Sequence, residues 1–175
     1  MAHELYSAIV RHARFPLYYQ HFGVPDTPEG RFEMVALHAG LVVRRLACEG
    51  KEEQDVAQSL FDLMFADIDV NLRELGVGDL SVGKEVKRLA RQFYARLDVL
   101  DRSFAAEGDH QPLRSMLEAN LFQGTVKPSA RTLDQFVDVI VAIERCLAKQ
   151  SGPDLKRGVL SLPEEGVLLS LCCDD

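Results

Sequence analysis

Apolar residues recur three or four positions apart along most of the chain, which is the spacing of amphipathic α-helices. Pro16 ends a first helix and can itself start another turn, because proline fits the first position of a helix. The pattern predicts an all-α, single-domain bundle of about six to seven helices. The later helices are predicted over residues 28–46, 52–75, 82–106, 112–124 and 133–147.

One stretch is apolar on most sides, which predicts that it is the central helix of the bundle. Residues 28–46 carry two apolar stripes, one containing Phe32 and Val42 and the other containing Met34 and Leu41. A helix with so little polar surface is surrounded by other helices. We treat residues 1–150 as one helical domain. The two short apolar runs of residues 151–175 form a C-terminal tail that either packs on the bundle or frays.

The stretch GVGDLSVGKE, residues 76–85, has the glycine and lysine spacing of a phosphate-binding loop. Such a loop needs a serine or threonine after its lysine and a buried strand in front of it. Glu85 follows Lys84 instead, and the preceding residues have the apolar spacing of a helix. We interpret the stretch as a turn between two long helices. Gly76 is the expected left-handed cap of the first helix, and Ser81 is the expected N-cap of the second.

Composition and charge indicate one globular domain in a reducing compartment. The 175 residues are 47% apolar and carry a formal net charge of −7, which argues against a general nucleic-acid-binding protein, and so against DNA as a partner, but allows a local basic face. The sequence shows no secretory signal and no apolar run long enough to span a bilayer, so we expect a cytoplasmic protein. Its cysteines lack the paired spacing of a metal site: Cys48, Cys146, Cys172 and Cys173.

Two side chains are candidates for chemistry. His38 lies among apolar residues of the central helix, where a single histidine is more often a hydrogen-bonded core residue than a metal ligand. Asp67 lies close to an apolar stripe, and we expect it to pair with an arginine, since buried charges are normally paired. The alternative is an enzyme with a metal or carboxylate site around these two residues. The sequence contains no complete ligand set and predicts no cofactor.

Four cations form a basic face on the helix predicted over residues 82–106. Lys84, Lys87, Arg88 and Arg91 fall at positions i, i+3, i+4 and i+7, opposite the apolar stripe of that helix. One interpretation is a solvated surface neutralised by carboxylates of the preceding helix, and the other is a docking surface for an anionic partner. The carboxylates are Asp55, Asp62 and Asp69.

Two longer stretches resemble the signature blocks of a known family. They are residues 22–46, FGVPDTPEGRFEMVALHAGLVVRRL, and residues 65–97, FADIDVNLRELGVGDLSVGKEVKRLARQFYARL. Together with the later EANLF, residues 118–122, they resemble the ubiquinol–cytochrome c chaperone family. The resemblance covers roughly residues 5–125, and the residues beyond about 128 lie outside it.

The resemblance implies an all-helical protein that is not an enzyme. Mitochondrial members of the family bind newly made cytochrome b and serve the assembly of respiratory complex III, in part at the ribosomal tunnel exit. We therefore expect a chaperone whose client is nascent cytochrome b, with the ribosome, an anionic membrane surface or a second assembly subunit as further partners. Because the resemblance starts almost at Met1 without a transit peptide, we expect a bacterial member, cytoplasmic or peripheral on the inner membrane. A scaffold with an unrelated partner is the remaining alternative.

Overall fold

The computed structural model describes residues 1–105, 109–122 and 127–172. Across these residues all regular structure is helical and no strand is present, which confirms the all-α prediction. None of the described helices is both long and apolar enough to cross a membrane. The elements in order are α1 (Ala2–Ala13), a π-helical turn (Leu17–His21), α2 (Pro28–Ala47), α3 (Lys51–Glu74), α4 (Asp79–Ser103), α5 (Gln111–Leu121), α6 (Ala130–Ala148), α7 (Gly152–Lys156) and α8 (Glu165–Ser170).

The N-terminal elements form where the apolar spacing and the proline predict them. α1 buries Leu5 and Ile9 on the face that meets the bundle. Pro16 then precedes the π-helical turn, in which the N–H of Phe22 donates to the carbonyl of Leu17 at 3.2 Å. The predicted turn after the proline is therefore present, with a hydrogen bond that spans five residues instead of four.

α2 lies at the centre of the bundle, as its nearly continuous apolar circumference predicts, and it contacts α1, α3, α4, α5 and α6. Its start is fixed by Thr27, whose side-chain oxygen accepts the N–H of Gly30 at 3.1 Å, and by Pro28 at the first helical position. Gly40 faces α4, where an added Cβ atom would lie 3.0 Å from a methyl carbon of Leu100. The glycine therefore allows the two helices to pack closely.

α3 and α4 form a helical hairpin with a short connecting turn. α3 ends in a Schellman motif, in which Gly76 has a φ of +83° and its N–H donates to the carbonyl of Arg73 at 3.0 Å. The N–H of Val77 donates to the carbonyl of Leu72 at 3.0 Å and completes the motif. The predicted glycine cap is confirmed.

The predicted N-cap of α4 at Ser81 is wrong. α4 begins at Asp79 with Gly78 as its N-cap, and the N–H of Val82 already donates to the carbonyl of Gly78 at 3.1 Å. The carboxylate in the first turn favours this earlier start, because the N-terminus of a helix carries a partial positive charge. Lys84 consequently lies inside a helix that follows another helix. The stretch thus lacks both the strand and the loop of a phosphate-binding site.

The remaining helices begin and end within a few residues of the predicted bounds, which is the usual uncertainty of helix ends. The predicted ends at Ala106 and Gly124 lie outside the described residues, and α4 and α5 end at Ser103 and Leu121. Cys173 also lies outside the described residues.

The segment that follows α6 packs on the bundle. Leu155 and Leu168 are fully buried and belong to the same core as the longer helices. A carboxylate oxygen of Glu165 accepts the backbone N–H of Leu17 at 2.7 Å, which holds the start of α8 against the π-helical turn. Of the two outcomes left open for the tail, packing is therefore the one observed for residues 152–172.

Candidate functional site

An open groove of about 1030 Å³ lies between α1, α3 and the N-terminal parts of α2 and α4. Its position follows from the helical spacing of α3, in which every third or fourth residue from Met64 onward faces α1 and α2. Several of its apolar side chains are only half-buried, so the groove offers apolar surface to a bound partner. The apolar lining residues are Val10, Phe32, Val35, Met64, Ile68, Leu72, Leu75, Leu89 and Leu121.

A hydrogen bond links α1 and α3 at one wall of the groove. The hydroxyl of Tyr6 donates to Oδ2 of Asp67 at 2.7 Å. Burial raises the pKa of the Tyr6 hydroxyl, and the hydrogen bond to Asp67 raises it further, so the phenol stays protonated and acts as the donor. Asp67 is exposed and forms no ion pair among the described residues. The prediction of an arginine partner is therefore wrong.

An ion pair links α2 and α4 at another wall of the groove. Arg96 is only 6% exposed, and its Nε donates to Oε2 of Glu33 at 3.0 Å, while its Nη2 donates to Oε1. Burial raises the pKa of the Glu33 carboxyl, and the guanidinium opposes that rise. Sequence reasoning missed this pair. Arg96 occupies the apolar stripe of α4, three residues after Phe93 and four before Leu100. A charged residue within an apolar stripe was the feature of the sequence that could have indicated a buried partner.

His38 is a satisfied core residue, as predicted. Its Nδ1 lies 2.8 Å from the carbonyl of Met34 and donates to it, which leaves Nε2 to accept the hydroxyl of Tyr18 at 3.2 Å. Burial lowers the pKa of His38 to about 3, and the neighbouring His12 also lowers it. Both ring nitrogens of the neutral imidazole therefore have partners inside the core.

The structure does not bring together the two residues of the enzyme alternative. Asp67 lies at the wall of the groove with Tyr6, whereas His38 lies in the core with Tyr18. Among the residues that the structure describes, no group of three His, Cys, Asp or Glu side chains could hold a metal ion. A metal or carboxylate site shared by Asp67 and His38 is therefore absent from the described chain.

The predicted basic face lies on the outer side of α4. Lys84, Lys87, Arg88 and Arg91 are all exposed. Arg88 is bound to a carboxylate within the run, because its Nε donates to both carboxylate oxygens of Glu85 at 3.0 Å. This hydrogen bonding lowers the pKa of Glu85. The other three cations, Lys84, Lys87 and Arg91, form no ion pair with any described residue.

The three carboxylates of α3 that were expected to neutralise the basic face form no ion pair with it. Each of the three has a partner on α3 itself, one helical turn away, but Gln58 is neutral and leaves the charge of Asp62 uncompensated. The pairs are Lys51 with Asp55 at 2.8 Å, Gln58 with Asp62 at 2.8 Å, and Arg73 with Asp69 at 2.6 Å.

A comparison with a solved structure agrees with this helical-bundle architecture. A family model described as Ubiquinol-cytochrome C chaperone matches residues 20–162. The crystal structure of the Cbp3 homolog from Brucella abortus has a TM-score of 0.82 and 34% sequence identity, and the match covers 93% of this chain and 88% of that chain. The chain therefore belongs to the ubiquinol–cytochrome c chaperone family.

A curated relative from Drosophila melanogaster is named ubiquinol-cytochrome c reductase complex assembly factor 1. It is 22% identical over 111 residues, which make up 61% of this chain and 43% of the relative. This chain thus aligns with less than half the length of that relative. The family match itself extends past the resemblance expected from the sequence, because it includes α6 and α7. Membership of a family of chaperones assigns the chain a binding role and not an enzymatic one.

Proposed function

We propose that the chain is an assembly chaperone for ubiquinol–cytochrome c reductase, respiratory complex III, and that its client is newly made cytochrome b. Family membership and the name of the Drosophila relative support the role in assembly. Cytochrome b is inserted in the membrane, so its segments expose apolar surface before insertion. The groove beside α3 carries the proposal, because its half-buried apolar lining can cover such a segment.

The volume of the groove matches a short piece of helix. An α-helix with its side chains is about 10–12 Å wide and rises about 5.4 Å per turn, so two turns occupy roughly 1000 Å³. The groove has a volume of about 1030 Å³. A membrane span contains about 20 residues, or five to six turns. The groove would therefore hold about two turns of a client helix and leave the rest of the span outside.

The lining suits a segment that is apolar with polar ends. Phe32, Val35 and Leu72 are half-buried and offer their exposed parts to a client. Arg14 and Glu74 also line the groove, and neither forms an ion pair with a described residue. Charges beside an apolar surface fix the orientation of a ligand more than they add affinity. A client helix with polar residues opposite Arg14 and Glu74 would fit this lining.

Site-specific photo-crosslinking tests the proposed client and the groove together. A photoreactive phenylalanine analogue replaces Val10 or Phe32, both of which line the groove, or Val167, which is 57% exposed on α8 and does not line it. The variants are expressed in cells that are synthesising cytochrome b. We expect crosslinks to cytochrome b from the two groove positions and none from α8. Thermal melting of each variant verifies that the bundle is intact.

Two outcomes would contradict the proposal. Equal crosslinking from Val167 would mean that contact with cytochrome b is unspecific. Crosslinks from Val10 and Phe32 to a different protein would favour the scaffold alternative, and a second assembly subunit would be identified in the same experiment.

We also propose that the basic face brings the chaperone to an anionic surface near its client. Lys84, Lys87 and Arg91 are exposed and have no counterion among the described residues. The phosphates of ribosomal RNA and those of lipid headgroups both attract such cations. Sedimentation of the protein with ribosomes and, in a separate experiment, with lipid vesicles shows which of the two phosphate surfaces it binds.

A further inference from the structure

Five exposed residues of α4 form a continuous ridge that contains most of the basic face. They fall at positions i, i+4, i+7, i+11 and i+14, which places them within roughly 80° of the helix circumference and over a length of about 21 Å. The opposite side of the helix is buried against the bundle. We call these residues the α4 ridge: Leu80, Lys84, Lys87, Arg91 and Tyr94.

The cations of the α4 ridge are available because the nearest carboxylates are occupied. Asp79 accepts a hydrogen bond from Arg73, and Glu85 accepts hydrogen bonds from Arg88. No carboxylate occurs within the ridge itself. The ridge is therefore locally positive on a chain whose formal net charge is −7. Such a surface attracts an anionic partner at short range while the rest of the protein does not.

Exposed apolar side chains lie beside these cations. Leu80 is 94% exposed at the start of α4, and Leu75 is 63% exposed at the end of α3. Tyr94 is 55% exposed at the other end of the ridge. Exposed leucines gain nothing from the phosphates of RNA, but they gain free energy in the boundary between headgroups and acyl chains. Tyrosine is also enriched at that boundary.

We infer that the α4 ridge and the adjoining α3–α4 turn form a docking surface for an anionic lipid bilayer. Leu80 and Leu75 enter the headgroup boundary, while Lys84, Lys87 and Arg91 bind the headgroup phosphates. Ribosomal RNA is the less favoured ligand, because it would leave the two leucines in water. Docked in this way, the protein lies on the membrane surface without spanning the bilayer.

The inference rests on the proposed function, because a membrane surface is useful to a chaperone whose client is inserted in a membrane. The groove lies beside this docking surface, because Leu75 at the end of α3 and Arg88, the neighbour of Lys87 on α4, line it. A chaperone docked through the ridge would hold its groove close to the bilayer into which an apolar client is inserted. The binding of lipid can nevertheless be measured without any client.

Vesicle sedimentation of the purified protein tests the docking surface. The vesicles consist of phosphatidylcholine alone or of phosphatidylcholine with phosphatidylglycerol, at low and at high salt. We expect binding only to the anionic vesicles and weaker binding at high salt. The double variant Lys87→Glu, Arg91→Glu should bind at least roughly 30-fold more weakly, because each cation near an anionic bilayer contributes about fivefold.

A matched control carries the same change of charge at another place. The double variant Arg145→Glu, Lys149→Glu has the same spacing, and both residues are exposed and form no ion pair with a described residue. It should bind anionic vesicles within about threefold of wild type, since both variants have the same net charge and only the position of the lost cations differs.

The apolar part of the surface is tested by Leu80→Ser. We expect about fivefold weaker binding, which corresponds to burying roughly half of a leucine side chain. The control is Val167→Ser, which removes an exposed apolar side chain of α8 and should change nothing. Both variants should melt within a few degrees of wild type, because each side chain is largely exposed.

Three results would overturn the inference. The first is wild-type protein that does not bind anionic vesicles at low salt. The second is equal loss of binding in the two double variants, which would indicate a general charge effect. The third is binding to ribosomal RNA through Lys87 and Arg91 without binding to vesicles. Loss of crosslinks to cytochrome b from the groove, with vesicle binding intact, would instead contradict the proposed client alone.

Discussion

Replacing His38 by glutamine should make the stability of the protein less dependent on pH. In the folded protein burial lowers the pKa of His38 to about 3, from the ordinary value of 6.5. The unfolded chain exposes the imidazole and binds a proton below pH 6.5, whereas the folded protein does not until the pH approaches 3. The stability of the wild type is therefore complete above pH 6.5 and is lost as the pH falls from there toward 3.

The size of the effect follows from these two pKa values. At pH 8 the imidazole of His38 is neutral in the folded and the unfolded state, so its titration contributes almost nothing to the free energy of unfolding. At pH 5 almost all unfolded molecules carry the proton and almost no folded ones do, so the free energy of unfolding falls by about 2 kcal/mol. This figure changes little if the folded pKa lies anywhere below about 4, because the unfolded state then determines it.

Urea unfolding at pH 8 and at pH 5 measures how far the free energy of unfolding falls between the two pH values. His38→Gln loses the two hydrogen bonds of the imidazole and will be less stable at both pH values, so only the change between them is compared. We expect that change to be about 2 kcal/mol smaller in the variant than in wild type. His21→Gln is the control, because His21 is exposed and meets water in both states. His12, whose pKa burial also lowers, remains in all three proteins.

The reasoning would be refuted if His38→Gln and wild type lost the same amount of stability between pH 8 and pH 5. That outcome would mean that the folded protein protonates His38 as readily as the unfolded chain does. The hydrogen bonds with Met34 and Tyr18 would then have to rearrange around a charged imidazolium.

Three further substitutions test the core, the hairpin turn and the buried ion pair. Val42→Asp should lower the free energy of unfolding by several kcal/mol, comparable to the whole stability, and a melting temperature within a few degrees of wild type would contradict this. Gly76→Val should destabilise by about 1 kcal/mol or more in urea unfolding, because Gly76 has a φ of +83°. Arg96→Met should cost at most roughly 3–5 kcal/mol by leaving the partly buried Glu33 without its ion-pair partner, and adding Glu33→Leu to the same protein should recover much of the loss.

Local features of the sequence determined the helices and several of their ends. The apolar spacing of residues 28–46 predicted a central helix, and α2 is the most enclosed helix of the bundle. Gly76 predicted a left-handed cap because only glycine adopts that conformation at little cost. Ser81 led to a wrong prediction of the N-cap of α4, because the preference of serine for the N-cap competed with an acidic residue two positions earlier. Such choices depend on small differences in free energy between neighbouring residues.

The basic face shows how far local reasoning extends toward function. The i, i+3, i+4 spacing was enough to place four cations on one side of α4. It did not separate Arg88, which Glu85 holds, from the three residues that are available to a partner. It also could not show that Asp55, Asp62 and Asp69 have partners on α3 itself. Both points depend on which side chains are neighbours across the folded surface.

The groove and its walls were decided by the tertiary structure alone. Tyr6 and Asp67 are 61 residues apart in the sequence, and Glu33 and Arg96 are 63 apart. Glu165 reaches Leu17 from 148 residues away. Helical periodicity specifies which side of each helix is apolar, but it contains no information about which helix will cover that side. Only the packing of α1, α2, α3 and α4 leaves part of their apolar surface uncovered, and that uncovered surface is the proposed client site.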